Sequence, residues 1–401
     1  MNLVVGGYGS VSAAGANTAE LGEALFGGRP VRPSLPVTRM NSVYAEKYPI
    51  FQAPDSVLAQ LRAADDESLS LLYARLAVDE ALTMASLSAA DLRGLRLGVC
   101  LGSSTEASAF SFDFYRQART GEATSNAPFR RFVTESISDQ VLAHYNWRGI
   151  SQTVTTACAA GTDAVGVGAE WIANGFCDAV IAGGTDHLDL VPYTGFIRLM
   201  IADPRPCRPF SKDRRGVTLG EGAGILLLLS PSAAEQLGTP PRGYVLGYGN
   251  ACDGYHATAP EPGGRGLRKA VAAALSQAGV NASDLAFVNA HGTGTADNDA
   301  AEAAVCRELL AGVPVCATKS YTGHALAAAG ALEAVISLLA LERGEIPKVN
   351  FFGEPDEWLM VTPALENQPV AADKTAALSN SLGLGGCNAA LVLAGKEHDG
   401  R

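Results

Sequence analysis

Residues 152–161 read Gln-Thr-Val-Thr-Thr-Ala-Cys-Ala-Ala-Gly, and this stretch decides the fold because it joins a strand to a helix. Its first five residues are rich in β-branched side chains, which predicts a short buried strand. A helix is predicted from Thr162 to Ala173, with Gly175 just beyond its end. Cys158 therefore lies where a strand turns into a helix, which is the geometry of a nucleophile elbow.

A cysteine at the start of a helix is well placed to act as a nucleophile. The free backbone N–H groups and the positive end of the helix dipole would stabilise its thiolate. The same N–H groups could hold a carbonyl oxygen that gains charge during a reaction. The alternative is that Cys158 is buried and inert, as cysteines usually are. Motifs elsewhere in the chain are needed to choose between these interpretations.

The composition of the whole chain limits the possible functions. The chain has 401 residues, of which 47% are hydrophobic and 18% are charged, so we expect a large core and two domains or two fused halves. The formal net charge of −11 argues against nucleic acid or an anionic membrane as the main partner. No apolar run approaches about 20 residues without a polar interruption, so no membrane insertion is expected.

The eight cysteines indicate the compartment. No two of them form a Cys-x-x-Cys pair, so neither a zinc site nor a redox pair is predicted. The stretch at the start of the chain is too short for a signal peptide and lacks the positive charge that a signal peptide has. We therefore expect a protein of the reducing cytoplasm that binds no metal.

Predicted strands and helices alternate along the chain, which indicates an α/β fold with helices covering central sheets. A strand at residues 3–5 is followed by a predicted glycine-rich loop at residues 6–15, whose spacing does not match a dinucleotide-binding loop. Helices are predicted at residues 18–26, 66–84, 88–92, 107–120, 136–145, 268–277, 299–310 and 325–343. A second series of strands and helices begins near residue 244. Because the two series have a similar order, we predict two related halves, residues 1–238 and 239–401.

Three further motifs follow predicted strands, where the sites of α/β proteins are usually built. Residues 289–295, Asn-Ala-His-Gly-Thr-Gly-Thr, bring a histidine into a loop of glycine and threonine. Residues 319–324, Lys-Ser-Tyr-Thr-Gly-His, open a helix, and residues 380–388, Asn-Ser-Leu-Gly-Leu-Gly-Gly-Cys-Asn, contain glycines that let the backbone approach a ligand. A lone histidine in such a loop is more often structural, but a lysine and a histidine within six residues are less easily explained in that way.

Together with the stretch around Cys158, these motifs resemble those of the β-ketoacyl-acyl-carrier-protein synthases of the thiolase superfamily, most of all the condensing enzymes of type II fatty acid and polyketide synthesis. The resemblance covers nearly the whole chain and keeps all four motifs in order. It implies a thiolase-like α/β fold with two related halves in a layered αβαβα arrangement. It also implies an acyltransferase that performs a decarboxylative Claisen condensation of an acyl thioester with malonyl carrier protein. The products would be 3-oxoacyl carrier protein, CO2 and free carrier protein, formed without a cofactor or metal.

The resemblance implies a role for each matching residue. Cys158 would take up the acyl chain as a thioester, and its backbone N–H and that of Leu384 would form an oxyanion hole. His291 and His324 would hold the thioester carbonyl of malonyl carrier protein through Nε2–H groups and stabilise the enolate that forms as CO2 leaves. Lys319 is counted with the catalytic residues, and the resemblance implies that Lys319 and Glu333 orient His324 and the local network. It also implies a structural role for Glu302, and hydrogen bonds to the phosphopantetheine arm for Thr293 and Thr295.

The chain departs from the family's pattern in its C-terminal glycine turn. The family commonly has two phenylalanines where this chain has Leu382 and Leu384, and a threonine or histidine where it has Cys387. We expect Leu382 and Leu384 to form the gate of the acyl pocket. These departures leave the condensation chemistry intact. They do not define the length or shape of the acyl substrate, so fatty acid, aryl polyene and polyketide synthesis are all consistent with the sequence.

The resemblance also implies an acyl carrier protein as partner. Carrier proteins are acidic, as this chain is, so docking would need local cations. The candidates are Arg130, Arg131, Arg205, Arg208, Arg214 and Arg215, each of which could instead belong to a solvated face. Family members dimerise through the strand near the nucleophile, so we expect a homodimer, with a heterodimer containing a chain-length factor as the alternative.

Other functions fit parts of the pattern. A non-catalytic chain-length factor shares the fold but lacks the nucleophile, whereas this chain has Cys158, His291 and His324. A thiolase would use a second cysteine near the C-terminus, where Cys387 lies, but both histidine motifs favour a synthase. A synthase of the Cys-His-Asn type would replace one histidine and does not fit. A pure binding or scaffold role is the third class.

Overall fold

The computed structural model describes residues 1–28, 30–60, 68–105, 114–122 and 125–398, without the side chains of residues 128, 131 and 132. The strands are β1 Leu3–Ser12, β2 Ile50–Phe51, β3 Leu97–Gly102, β4 Gly149–Val154, β5 Ala179–Asp186, β6 Leu219–Gly220, β7 Gly222–Leu229, β8 Gly243–Cys252, β9 Leu285–Asn289, β10 Val315–Cys316, β11 Glu345–Ile346, β12 Gln368–Pro369, β13 Ala376–Gly383 and β14 Cys387–Gly395. The helices are α1 Thr18–Phe26, α2 Asp55–Leu58, α3 Leu69–Met84, α4 at residues 114–120, α5 Ala127–Thr134, α6 Ile137–His144, α7 Ala160–Ala173, α8 Leu190–Arg198, α9 Pro231–Leu237, α10 Arg265–Ala278, α11 Ala296–Leu309, α12 Lys319–Thr322 and α13 Ala329–Arg343. Short 3₁₀ helices span Ala157–Ala159, Ala282–Asp284 and Leu326–Ala328.

Ten of these strands form one sheet whose two halves have the same strand order. The order is β10-β9-β13-β14-β8-β1-β7-β5-β3-β4. In the first half β1 is followed outward by the antiparallel strand β7 and then by β5, β3 and β4, which are parallel to one another. In the second half β8 is followed by the antiparallel strand β14 and then by the parallel strands β13, β9 and β10. The expected relation between two halves is confirmed, while the boundary between residues 238 and 239 stays a prediction.

Two helices lie between the two halves of the sheet. Helix α7 contacts β3 and β5 of the first half and β8 and β14 of the second. Helix α13 contacts β5 and β7 as well as β13 and β14, and 11 of its 15 residues are buried, as expected for a helix enclosed between the two halves of the sheet. Helix α3 packs on β1 and β7, and α10 packs on β8 and β14. The result is the layered αβαβα arrangement that the family resemblance implied.

The glycine-rich loop predicted at residues 6–15 is wrong, because β1 continues through most of this stretch. Gly9 of β1 faces α3 so closely that an added Cβ would lie 2.1 Å from the carbonyl oxygen of Ala77. An added Cβ at Gly7 would likewise lie 2.1 Å from the carbonyl oxygen of Ala81. The glycines therefore let a helix backbone approach the strand and do not mark a turn.

The second half repeats this close packing of a helix on a strand. An added Cβ at Gly247 of β8 would lie 2.1 Å from the carbonyl oxygen of Ala274, and one at Gly249 would lie 2.2 Å from that of Ala270. Both carbonyl groups belong to α10, which corresponds to α3 of the first half.

The tyrosine between each pair of glycines points to the opposite face of its strand. Tyr8 of β1 donates a hydrogen bond to Glu342 of α13 at 2.6 Å, and Tyr248 of β8 donates one to Asp163 of α7 at 2.7 Å. Each half thus anchors its first strand to one of the two enclosed helices. In the sequence, this arrangement corresponds to the Gly-Tyr-Gly that occurs at residues 7–9 and again at residues 247–249.

The predicted helices are present, α1 with the predicted ends and the others with shifted ends, with one exception. The short helix predicted at residues 88–92 is wrong, because residues 89–94 form turns. The Asp91 carboxylate accepts hydrogen bonds from the backbone N–H and the hydroxyl of Ser88, each at 2.7 Å, and this local contact closes the turn. The predicted helix starts at residues 66 and 107 lie outside the described residues. None of the helices in the described part of the chain is both long and apolar enough to cross a membrane.

Replacing Gly9 tests the packing of α3 on β1. We expect Gly9→Ala to lower the free energy of unfolding by about 1–3 kcal/mol, because the added methyl must push a helix carbonyl away. Thermal unfolding measures the loss. The matched control is Gly195→Ala in α8, where an added Cβ meets nothing within 4 Å. Equal losses in the two variants would contradict the packing argument.

Candidate active site

Cys158 lies between the end of β4 and the start of α7, as the sequence predicted, but β4 spans Gly149–Val154 and is exposed or half-buried, so the expectation of a buried strand is wrong. A 3₁₀ turn makes the connection, and its first residue, Ala157, has a φ of 52°. This is the left-handed region, which a residue other than glycine enters only when the surrounding structure holds it there. The turn is therefore a constrained one that fixes the direction of the Cys158 side chain.

The second half of the chain uses the same turn. A 3₁₀ helix precedes α13, and its first residue, Leu326, has a φ of 53°. His324 lies two residues before this turn. Cys158 is the second residue of the turn in the first half, and His324 lies just before the turn in the second half, so each half places one of these side chains beside its turn.

A cavity of about 260 Å³ brings together the residues singled out from the sequence. Cys158, His291 and His324 all line it, although each is almost fully buried. Its wall further includes Phe196, Thr293, Thr295, Leu382 and Leu384. The four sequence motifs thus meet at one site.

The Lys319 ammonium group determines the tautomer of His291. Its Nζ lies 2.9 Å from Nδ1 of His291 and donates to the His291 carbonyl oxygen at 2.7 Å. Because an ammonium group can only donate, Nδ1 must accept, and the ring proton is on Nε2. Glu302 fixes the backbone here by accepting from the N–H groups of His291 at 2.7 Å and Gly292 at 2.8 Å.

A backbone group determines the tautomer of His324 in the same way. The N–H of Leu326 donates to Nδ1 of His324 at 3.2 Å, which again leaves the proton on Nε2. The two rings lie 5.3 Å apart, centroid to centroid, at an angle of 88°. Burial and, in second place, the nearby Lys319 charge hold the pKa of both histidines well below its usual value. The site therefore offers two neutral imidazoles that can each donate from Nε2.

Glu333 holds Lys319 in place through a buried ion pair. The side chains of Lys319 and Glu333 are 1% and 2% exposed. Burial raises the pKa of Glu333 above its usual value, and the charge of Lys319 acts in the opposite direction. The resemblance implied that this pair orients His324 and the local network. Lys319 contacts His291 directly, whereas the Nδ1 of His324 accepts from a backbone N–H.

The environment of Cys158 corrects one expectation from the sequence. Burial raises the pKa of the Cys158 thiol to about 11, so the thiolate is not favoured in the free protein. Hydrogen bonding from the backbone N–H of Leu384, the charge of Lys319 and the N–H of Cys158 itself act in the opposite direction but are weaker. The loss of hydration thus outweighs the helix N-terminus. The N–H groups of Cys158 and Leu384, the two assigned to the oxyanion hole, both lie beside the sulfur.

The glycine turn between β13 and β14 brings Leu384 next to the nucleophile. An added Cβ at Gly383 would lie 2.9 Å from the carbonyl oxygen of Thr156, so only glycine allows this approach. Gly385 and Gly386 have φ values of 86° and 78° in the left-handed region, which glycine adopts without strain. Leu382 and Leu384 thereby reach the cavity, while their role as a gate stays a prediction.

The two threonines assigned to the phosphopantetheine arm lie in the wall of the cavity. The hydroxyl groups of Thr293 and Thr295 are 2.9 Å apart, and the N–H of Thr295 donates to the Thr293 hydroxyl at 3.3 Å. Both hydroxyl groups are therefore available at the same side of the cavity. Their contact with the arm stays a prediction.

Asp186 is a structural residue of the site that the sequence reasoning missed. It ends β5 and accepts hydrogen bonds from the side chains and backbone of the loop after β3 and from the N–H of Ala327, which follows His324. The donors of that loop are Ser103, Ser104 and Thr105. The available signal was an aspartate directly after a buried strand, in Gly-Gly-Thr-Asp.

Asp299 is a second missed residue, and it orders the loop that carries His291. Its carboxylate accepts from the N–H of Phe210 at 2.7 Å and from that of Gly294 at 3.2 Å. It is fully buried on α11, where it joins the polar loop after α8 to the histidine motif.

Three of the candidate docking arginines are engaged in ion pairs. Arg205 pairs with Asp203 at 3.1 Å, Arg208 pairs with Asp213, and Arg214 pairs with Asp356 at 2.6 Å. Their charges are largely balanced by neighbouring carboxylates.

Arg215 differs from these three. It is exposed, lines the mouth of the cavity, and forms no ion pair with the residues that the structure describes. Arg130 is exposed on α5, and the side chain of Arg131 lies outside the described part of the structure. Docking at these arginines stays a prediction.

The chain matches two family models and many curated proteins. A model described as "Beta-ketoacyl synthase, N-terminal domain" matches residues 2–234, and one described as "Beta-ketoacyl synthase, C-terminal domain" matches residues 242–352. A protein named 3-oxoacyl-[acyl-carrier-protein] synthase 2 from Staphylococcus aureus (strain N315) is 34% identical over 336 residues, 80% of this chain and 80% of that protein. A protein of the same name from Synechocystis sp. is 37% identical over 256 residues, 61% of each chain.

Solved structures match over almost the whole chain. One described as the ishigamide ketosynthase/chain length factor has a TM-score of 0.90 and 32% identity, covering 98% of this chain and 99% of that one. One described as a type II PKS acyl-carrier protein in complex with its ketosynthase bound to the hexaketide has a TM-score of 0.87 and 26% identity, with coverage of 98% and 99%. A ketosynthase in complex with its chain length factor from Xenorhabdus doucetiae has a TM-score of 0.79 and 26% identity, with coverage of 98% of both chains.

The raised pKa of Cys158 predicts how fast iodoacetamide alkylates this thiol. Since only the thiolate reacts, the rate should rise about tenfold per pH unit from about pH 7 to about pH 10 without levelling off. Mass spectrometry of the peptide that contains Cys158 measures the rate, with the exposed Cys252 followed in the same digest as a reference. A plateau below about pH 9 would show that the helix N-terminus prevails over burial.

Proposed function

This chain belongs to the beta-ketoacyl synthase family, and we propose that Cys158, His291 and His324 carry out its reaction. The protein is an acyltransferase that condenses an acyl thioester with malonyl carrier protein to give 3-oxoacyl carrier protein, CO2 and free carrier protein. One observation carries the assignment of residues: a thiol and two Nε2–H donors line the same cavity. A chain-length-factor role is not favoured, because the nucleophile and both histidines are present.

In the first half-reaction the acyl group moves from a carrier protein to Cys158. The sulfur attacks the thioester carbonyl, and the oxygen gains negative charge near the N–H groups of Cys158 and Leu384, which stabilise it. The bond to the carrier sulfur then breaks, and the proton that Cys158 loses is balanced by the one that the carrier thiol gains. No net proton acceptor is needed, which suits a thiol whose pKa is raised.

In the second half-reaction malonyl carrier protein binds with its thioester carbonyl oxygen between His291 and His324. Loss of CO2 leaves an enolate, and the two Nε2–H groups stabilise the charge on its oxygen. The enolate carbon attacks the thioester of Cys158, a carbon–carbon bond forms, and the sulfur of Cys158 departs and takes up a proton from water. The histidines only donate hydrogen bonds, so neither has to be charged.

We propose no cofactor beyond the phosphopantetheine of the carrier protein, because the release of CO2 drives the condensation. Thr293 and Thr295 would bind the arm, since their hydroxyl groups lie in the wall of the cavity. Arg215, exposed at the mouth, is the best placed of the candidate arginines to meet the acidic carrier protein.

The protein works with an acyl carrier protein, and it assembles as a homodimer or as a heterodimer with a chain-length factor. The outermost strand of the first half, β4, supports dimerisation near the nucleophile, because Gly149 and Ile150 are exposed and one edge of the strand is unpaired in the described residues. We place the enzyme in the cytoplasm. The eight cysteines, all within the described residues, are free thiols, which suits a reducing compartment.

Single substitutions should separate the two half-reactions. Cys158→Ala should abolish acyl transfer, whereas His291→Ala and His324→Ala should each still accept an acyl group on Cys158. Each histidine variant should lose malonyl decarboxylation by about 10²–10³-fold, the scale for removing one oxyanion donor. Mass spectrometry of the acyl-enzyme and release of labelled CO2 measure the two steps. His398→Ala, which lies away from the cavity, is the control, and loss of acylation with decarboxylation intact would reverse the assignment.

Leu384→Phe should test the gate. A leucine is shorter than a phenyl ring and leaves more room beside Cys158, so the native enzyme should admit long or rigid acyl chains more readily than the variant. We expect the preference between a short saturated and a rigid polyunsaturated acyl carrier substrate to shift by about 1–3 kcal/mol in a competition assay. Leu365→Phe, at a leucine 45% exposed on the surface, is the control. An unchanged ratio in Leu384→Phe would remove this residue from the gate.

A further inference from the structure

Two cysteines face each other beside the turn that carries Leu384. Cys252 is the last residue of β8, Cys387 is the first residue of β14, and the register of these antiparallel strands pairs the two directly. Both are free thiols, Cys252 exposed and Cys387 half-buried. The condensation uses neither of them.

The hydrogen bonds around the pair show which kind of cross-strand pair it is. The N–H of Asp253 donates to the carbonyl oxygen of Gly386 at 2.8 Å, and these residues flank Cys252 and Cys387. A bond between the flanking residues means that the cysteines form a pair not hydrogen-bonded to each other. In such pairs the Cα atoms lie about 4.5 Å apart and the side chains stand close together on one face.

This spacing suits a disulfide. Disulfides join Cα atoms about 4.4–6.8 Å apart, a range that includes the spacing of such a pair. The Cys252 thiol also lies 3.7 Å from the carbonyl oxygen of Gly385, against the glycine turn. Burial and then the charge of Cys252 raise the pKa of Cys387, as expected for neighbouring thiols.

We propose that Cys252 and Cys387 form a disulfide on reaction with a small disulfide such as oxidised glutathione, and that this bond restrains the glycine turn. The thiolate of the exposed Cys252 attacks the small disulfide, forms a mixed disulfide and releases one thiol. The thiolate of Cys387 then attacks the Cys252 sulfur and releases the second thiol. The two cysteines lose two hydrogen atoms in total, and the small disulfide is reduced to two thiols, so atoms and electrons balance.

The effect of the disulfide on the enzyme depends on the contacts that hold the glycine turn between β13 and β14. In the described structure the turn is tied by a bond from the N–H of Gly385 to the carbonyl of Ala257 at 2.9 Å and by one from Gly386 to Gly383 at 3.1 Å. A disulfide at Cys387 adds a covalent tie at its base. This step rests on the gate proposed above and adds that Leu384 moves with the turn to admit an acyl chain. The oxidised enzyme therefore accepts acyl groups several-fold more slowly and recovers on reduction.

Peptide mapping tests the disulfide independently of activity. Trypsin releases residues 243–265 and residues 375–396, each with a single cysteine, so a linked pair of these peptides identifies the bond. We expect the linked pair after treatment of the full-length enzyme with oxidised glutathione, and its disappearance on reduction. Absence of the linked pair, or a glutathione adduct that persists on Cys252, would overturn the inference.

The rate of acyl transfer to Cys158, measured by mass spectrometry, tests the effect on the turn. Cys252→Ser should match the native rate when reduced and keep it after treatment, whereas the native enzyme should slow several-fold. If Cys252→Ser slows equally, or if the linked enzyme does not slow, the turn is not the target and the inference fails. If the reduced native enzyme does not catalyse the condensation, the proposed function is wrong. The identification of the disulfide by peptide mapping does not depend on that result.

Discussion

The buried contact between the Lys319 ammonium group and Nδ1 of His291 is the interaction on which the site depends. Glu333 holds the lysine there, and both side chains are almost completely shielded from water. Removing one partner of such a pair leaves the other charge unpaired in the core, which typically costs about 3–5 kcal/mol. The function of the arrangement follows from the chemistry of the ammonium group. Because Lys319 can only donate a hydrogen bond to Nδ1, the ring proton of His291 must be on Nε2.

The same outcome is reached at His324 without a charge, through the strained turn that each half of the chain contains. In the second half the turn offers the N–H of Leu326 to the imidazole, and in the first half it presents Cys158. The turns approach so closely that an added Cβ at Gly161 or Gly184 would lie within 3 Å of the carbonyl oxygen of Ala327. The cavity that Cys158, His291 and His324 line is therefore a product of the internal repeat, formed where its two copies meet.

Much of this could be predicted from the sequence, because the four motifs are local. Each is a short run that follows a strand, and the ends of strands gather at one edge of a sheet, so Cys158, His291 and His324 meet as expected. The glycines of β1 were misread because glycine marks a turn and a close helix contact alike, and only the position of α3 distinguishes them. The partner of Lys319, the hydrogen bonds to Asp186 and the pKa of Cys158 depend on groups distant in sequence and on burial, which no local pattern reveals.

The central claim is that His291 and His324 are both neutral, with the proton on Nε2, and 15N NMR of protein labelled at histidine tests it most directly. The spectrum of the full-length enzyme at neutral pH would be assigned by comparison with His291→Gln and His324→Gln. The account predicts, for both rings, a protonated Nε2 and an unprotonated Nδ1. An imidazolium signal, or a proton on Nδ1, at either residue would contradict it.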